Sequence, residues 1–107
     1  MSLVCKQSSS SSTVLKTAGD SGAQISGITV YNTSGSSCTL TLRAYDSSSD
    51  LSIILDEITV DGGATSRFPT TVVLESSDEA RVENLSETEI HYTFNSQDST
   101  RGNFHAL

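Results

Sequence analysis

The sequence has 107 residues, enough for one domain with a modest core, and 35% of its residues are apolar, with no tryptophan. Six basic and thirteen acidic side chains give a formal net charge of −7. This charge would repel phosphate backbones and anionic lipids, so we expect neither nucleic acids nor membranes as partners.

The first twelve residues differ in composition from the rest of the chain. Ser8–Ser12 is an unbroken serine run, which predicts a flexible N-terminal arm over residues 1–12. The opening residues lack the apolar stretch of a secretory signal, and the longest apolar run, Ile53–Leu55, is far too short to span a bilayer. We therefore expect the protein to be made in the cytoplasm without a signal peptide.

From Thr13 onward, short alternations of apolar and polar residues are separated by turn residues, a pattern that predicts antiparallel strands and no helix. The predicted strands, in chain order, are Thr13–Ala18, Gln24–Asn32, Cys38–Tyr45, Ser52–Val60, Thr65–Phe68, Thr71–Glu75, Glu79–Leu85 and Glu89–Asn95. About eight strands at this spacing predict a sandwich or a small barrel. We take the fold to be all-β, a single antiparallel, jelly-roll-like β-sandwich over residues 13–95, followed by a C-terminal tail over residues 96–107.

The second predicted strand contains a predicted β-bulge. Ile28 and Val30 share one face, whereas Ile25 is out of phase with them. Glycine accepts the backbone conformation that a bulge requires, so Gly27 is expected to restore the phase.

The third and fourth predicted strands supply much of the predicted core. The inward face of the third strand carries Cys38, Leu40, Leu42 and Ala44, and its outward face carries Thr39, Thr41, Arg43 and Tyr45. In the fourth strand, Ile54, Ile58 and Val60 are the expected core residues. With this phase, Leu42→Ala should be strongly destabilising and Thr41→Ala nearly silent.

No pattern in the sequence predicts a catalytic, cofactor or metal site. Cys5 and Cys38 are expected to be free thiols. His91 and His105 lack further ligands at the spacing of a zinc site. The acidic segment Asp46–Asp50 could offer oxygens to a hard cation, as could Asp56 and Glu57, but a solvated turn is the preferred interpretation. We therefore expect a protein that is not an enzyme and has no cofactor.

Three arginines fall in three different predicted strands. Arg43 and Arg81 point outward, whereas the phase of Arg67 is left open. We expect them to pair with acidic side chains of the same chain, and pairing with a neighbouring subunit is the alternative.

Three stretches of the sequence resemble small β-sandwich structural proteins of tailed bacteriophages. These stretches are Ile25–Asp46, Leu55–Leu85 and Ile90–Phe94. The resemblance implies a non-enzymatic viral structural protein, placed in the virion and present in symmetric copies. Capsid decoration or reinforcement is the first expectation, and a neck or tail accessory protein is the alternative. The implied partners are other virion proteins, such as the major capsid protein, and further copies of the chain, with a trimer as the plausible homo-oligomer.

Two further interpretations stay open. A carbohydrate-binding β-sandwich would use exposed aromatic rings, for which Tyr31 and Tyr45 are the candidates. The tail carries the apolar residues Phe104 and Leu107 beyond the last predicted strand. Disorder is the first expectation for this segment, and docking onto a neighbouring subunit is the alternative.

Overall fold

The computed structural model describes residues 2–8, 11–84 and 89–98, and in these residues it contains nine strands and no helix. The strands are β1 (Ser2–Ser8), β2 (Ser12–Thr17), β3 (Ala23–Asn32), β4 (Cys38–Asp46), β5 (Leu51–Val60), β6 (Thr65–Phe68), β7 (Val72–Leu74), β8 (Glu79–Asn84) and β9 (Ile90–Asp98). Within the described ranges, no helix long and apolar enough to cross a membrane is found. The all-β prediction is confirmed.

The strands form two antiparallel sheets. The first has the order β1-β9-β3-β6, with β7 also paired to β3, and the second has the order β2-β8-β4-β5. Alternate residues of both sheets enter one shared core; Ile28 and Tyr92 of the first sheet and Leu42 and Val82 of the second are fully buried. This sandwich-like arrangement follows from the period-two apolar pattern, which gives each strand one apolar face.

The bulge predicted at Gly27 is confirmed. The pairing of β3 with β9 shifts register between Ser26 and Thr29, and Gly27 has a φ of 63°. The shift brings Ile25 onto the same face as Ile28, and both are fully buried. Glycine at this position supplies the left-handed backbone that the bulge needs.

A second bulge corrects the predicted core of β5. Leu42 is opposite Asp56 but Arg43 is opposite Ile54, so Leu55 is the extra residue. The alternation shifts by one at this point. As a result Leu55 packs against the core, together with Ile58, whereas Ile54 is 59% exposed and the prediction that it belongs to the core is wrong.

Thr41 also differs from its prediction. Its side chain lies on the outward face of β4, yet the residue is only 4% exposed. Its hydroxyl donates a hydrogen bond to Glu57 Oε2 of the neighbouring strand at 3.2 Å. The longer side chains of adjacent strands therefore cover Thr41. The alternation of inward and outward residues along one strand does not predict this burial.

The structure differs from the predicted boundaries at both ends. Ser2–Ser8, assigned by the sequence to a flexible arm, forms β1 and pairs with β9 from Ser2 opposite Ser96 to Ser8 opposite Ile90. Such pairing uses backbone groups, and Val4 of β1 also packs against the core. β9 likewise runs to Asp98, past the predicted start of the tail. Residues 1, 9–10 and 99–107 of the predicted arm and tail lie outside the described residues.

The connection from β3 to β4 is organised by a buried amide. Asn32 Nδ2 donates to the carbonyl oxygens of Ser36 at 2.8 Å and Val60 at 3.1 Å. Its Oδ1 accepts from the backbone nitrogen of Ser34 at 3.0 Å and from the Ser34 hydroxyl at 2.9 Å. Asn32 thus holds the Asn-Thr-Ser turn against the end of β5.

We expect Asn32→Ala to lower the free energy of unfolding by about 1 to 3 kcal/mol, because it leaves the buried carbonyl of Val60 without its side-chain donor. Urea denaturation measures the change. Thr33→Ala is the matched control, since the Thr33 hydroxyl bond to the Glu89 carbonyl is exposed. Equal losses in the two variants would contradict the role assigned to the buried amide.

Candidate interaction surface

An apolar patch lies at the end of the β4–β5 hairpin. Leu51 and Ile53 of β5 are 56% and 50% exposed, and Val73 of β7 is 74% exposed. β5 is an edge strand of its sheet, and the features that protect such edges, its bulge at Leu55 and the charged side chains of Asp56 and Glu57, lie beyond Leu51 and Ile53. Exposed apolar edges of this kind are typical of contact surfaces.

These residues line a groove between β4 and β5 of one sheet and β7 of the other. The groove has a volume of about 330 Å³. Its walls are formed by Ala44, Tyr45, Asp46, Leu51, Ile53, Val73, Leu74, Glu75 and Asp78. Ala44, predicted to face the core, thus lies where the core opens to solvent. We call these nine residues the hairpin groove.

The rim of the hairpin groove is acidic. Its charged side chains are Asp46, Glu75 and Asp78, and no basic side chain of the described residues lines it. Asp46 Oδ1 accepts hydrogen bonds from the Ser48 hydroxyl at 2.7 Å and the Ser48 backbone nitrogen at 3.0 Å. The hydrogen bond from the Ser48 hydroxyl is the main cause of a lowered pKa for Asp46. The rim therefore attracts cationic groups at neutral pH.

Asp78 fixes the shape of the groove at its other wall. Its Oδ1 accepts from the backbone nitrogen of Ser47 at 3.3 Å, and its Oδ2 accepts from that of Glu75 at 3.2 Å. One carboxylate thus joins the β4–β5 loop to the turn that follows β7. The groove is held by hydrogen bonds and not by apolar packing alone.

The outer face of the second sheet carries paired charges. Arg43 Nε donates to Glu83 Oε1 and Arg81 Nε to Glu79 Oε1, both at 2.7 Å. The expectation of same-chain pairing is confirmed for these two arginines. Arg67 lies exposed on β6. Because Arg43 and Arg81 already have partners, this face offers less free charge to a ligand than its composition indicates.

The two candidate aromatic rings for carbohydrate binding do not form one platform. Tyr31 lies on β3 of the first sheet and Tyr45 on β4 of the second. The Tyr45 ring is covered by the Arg81 guanidinium at 4.1 Å, and the Tyr31 ring contacts His91 with centroids 6.1 Å apart. Stacking of one sugar chain across both rings is therefore not supported.

The side chains considered as possible metal ligands are not brought together. Among the described residues, no group of three or more histidine, cysteine, aspartate or glutamate side chains could hold a metal ion. His91 Nε2 lies 3.7 Å from Glu89 Oε1, and His105 lies outside the described residues. Asp56 instead accepts from the Glu57 backbone nitrogen and the Thr70 hydroxyl, and so links β5 to the connection between β6 and β7.

Both cysteines are free thiols, as predicted. Cys5 is exposed on β1, and Cys38 is buried. Burial raises the pKa of the Cys38 thiol, which lowers the fraction present as the reactive thiolate at neutral pH. Neither thiol lines the hairpin groove.

The sequence contained one signal for the groove that the strand assignment did not use. Ile53, Ile54 and Leu55 are consecutive apolar residues, and alternate residues of a strand face opposite sides. At least one of the three therefore had to leave the core. No comparable feature of the sequence indicated that Val73 lines the groove, because the exposure of Val73 depends on the position of β7.

The sequence matches no protein-family model, and no curated protein is significantly similar to it.

Proposed function

We propose that this chain is a non-enzymatic structural protein of a tailed bacteriophage virion, which decorates or reinforces the capsid through repeated, symmetric protein–protein contacts. The observation that carries the proposal is the order of strand pairing. The resemblance of Ile25–Asp46 and Leu55–Leu85 to phage β-sandwich proteins supports it independently of that order.

The strand pairs are nested. β4 pairs with β5, β3 with β6, β2 with β8 and β1 with β9. Nested pairs of this kind, divided between two sheets, support a jelly-roll topology in which one long hairpin is rolled into a sandwich. Viral capsid domains, lectins and cupins share this topology, so the binding surface has to select among them.

The hairpin groove favours protein binding over sugar binding. It exposes the aliphatic side chains of Leu51, Ile53 and Val73, while its one aromatic residue, Tyr45, is covered by Arg81. Apolar contact with an acidic rim suits a protein partner that carries basic groups. On a symmetric lattice many copies bind at once, so each contact can be modest in strength.

Particles of the phage that encodes the chain test the proposal directly. After density-gradient purification, quantitative mass spectrometry should find this protein in a fixed ratio to the major capsid protein. A ratio matching the capsid lattice supports decoration, whereas the copy number of a single ring would move the protein to the neck or tail. Absence from purified particles would overturn the virion assignment, and specific binding on a glycan array would favour the carbohydrate-binding alternative.

A further inference from the structure

We propose that the segment Arg101–Leu107 binds in the hairpin groove of its own molecule and covers the groove in the free protein. The inference rests on the proposed function only in taking the groove as a protein-binding surface, and it adds that a partner in the virion must displace the segment. Covering the groove removes the exposed apolar side chains of Leu51, Ile53 and Val73 from water.

The segment begins close to the groove. Ala23 of β3 pairs with Asp98 on one side and, on the other, with Leu74, a residue of the groove wall. Neighbouring strands lie about 4.8 Å apart, so roughly 10 Å separates the backbones of Asp98 and Leu74. Phe104 follows Asp98 by six residues, which span up to about 20 Å when extended. The segment is therefore long enough to reach the groove of the molecule that carries it.

A short connection favours the segment's own molecule over a second copy. The end of β9 has a fixed position, because Asp98 pairs with Ala23 and its Oδ1 lies 2.9 Å from Lys16 Nζ. A short link between a binding segment and its site gives an effective concentration on the order of millimolar. A second copy competes on equal terms only when the protein itself reaches that concentration. Below it, each groove is filled by the segment of the same chain.

The charges of the segment and the rim are complementary. The rim residues Asp46, Glu75 and Asp78 are acidic, whereas the segment contains one arginine and no acidic residue. Asp78 lies on the side of the groove that faces the end of β2, since its carbonyl accepts a hydrogen bond from the Ala18 nitrogen at 2.9 Å. Arg101 is the first residue of the segment, so along the chain it is the first to meet this acidic rim.

The apolar content also matches. Phe104 and Leu107 follow Arg101 in the segment, and the groove offers Leu51, Ile53 and Val73 as apolar contacts. A volume of about 330 Å³ is near the lower end of the range for ligand pockets, roughly 300 to 1,000 Å³. It suits one or two anchoring side chains and not a broad flat interface.

Disulfide formation between introduced thiols tests the contact. In a Cys5→Ser background, which removes the exposed thiol, one reporter carries Val73→Cys with Ala106→Cys and the other Thr17→Cys with Ala106→Cys. Thr17 is exposed and next to Lys16, but it does not line the groove. Mild oxidation with diamide should join positions 73 and 106 at least about tenfold faster than positions 17 and 106, because binding holds the segment at the groove.

Further variants serve as controls. Adding Phe104→Asp with Leu107→Asp to the first reporter should lower its rate to that of the second, because the apolar anchors are lost. Adding Leu3→Asp, at an exposed position outside the groove, should leave the rate unchanged. Two variants with single thiols at positions 73 and 106, mixed at micromolar concentration, should form no more mixed dimer than either forms with itself.

Two results would overturn the inference. Equal rates for the two reporters would show that the segment does not bind the groove. Rapid formation of the mixed dimer would show that the segment of a second copy is the occupant. Neither result bears on the virion assignment, which the composition of purified particles decides.

Discussion

Leu42→Ala is expected to lower the free energy of unfolding by about 2 to 5 kcal/mol, the usual cost of removing a large side chain from a packed core. Leu42 is fully buried in β4, the strand that lies between β8 and β5. Neighbouring strands on both sides restrict the collapse of the cavity that alanine would leave. Chemical denaturation of the purified domain measures the loss.

Thr41→Ala is the matched control in the same strand. The sequence predicted almost no effect for it, but the hydrogen bond from Thr41 to Glu57 raises the expected loss to about 0.5 to 1.5 kcal/mol. The loss should remain clearly smaller than that of Leu42→Ala. Losses of the same size would mean that Leu42 does not occupy the centre of the core.

Gly22→Ala is expected to be comparably destabilising for a different reason. Gly22 has a φ of 84°, and a Cβ added there would lie 2.5 Å from the Leu74 carbonyl oxygen. The left-handed backbone costs about 1 to 2 kcal/mol and the overpacking about 1 to 3 kcal/mol, so we expect a loss of about 2 to 5 kcal/mol. Since Ala23 pairs with Leu74, the clash would also displace β7 from β3 and alter one wall of the hairpin groove.

Gly19→Ala is the control in the same turn. A Cβ at Gly19 would have no atom within 4 Å, and its backbone is not left-handed. We expect stability to be unchanged or to rise by up to about 1 kcal/mol, because alanine reduces the entropy of the unfolded chain. Thermal unfolding of the two variants compares them. A stable Gly22→Ala variant would show that the turn can shift away from β7.

The sequence predicts a bulge well only where glycine marks it. Gly27 identified the bulge in β3 and correctly brought Ile25 into phase with Ile28. The bulge at Leu55 has no glycine, so simple alternation placed Ile54 in the core. Alternation along one strand holds only until the partner strand changes register, and the partner is not visible in the local pattern.

The groove and β1 were beyond prediction for a related reason. β1 pairs with β9 through backbone groups and packs Val4 against the core, and neither contact is visible in the local sequence of Ser2–Ser8. The groove joins Val73 to Leu51 and Ile53, residues of different sheets that are about twenty positions apart in sequence. Such features depend on long-range pairing, whereas the strands themselves follow from local composition.

The position of β9 has a consequence for synthesis. β9 lies between β1 and β3, yet it leaves the ribosome after all the other described strands. Until it emerges, both of those strands lack a neighbour, and the buried rings of Tyr92 and Phe94 are missing from the core. The first sheet therefore cannot close until β9 has been synthesised. The nascent chain must be kept from pairing with other chains for as long as its exposed edges wait for β9.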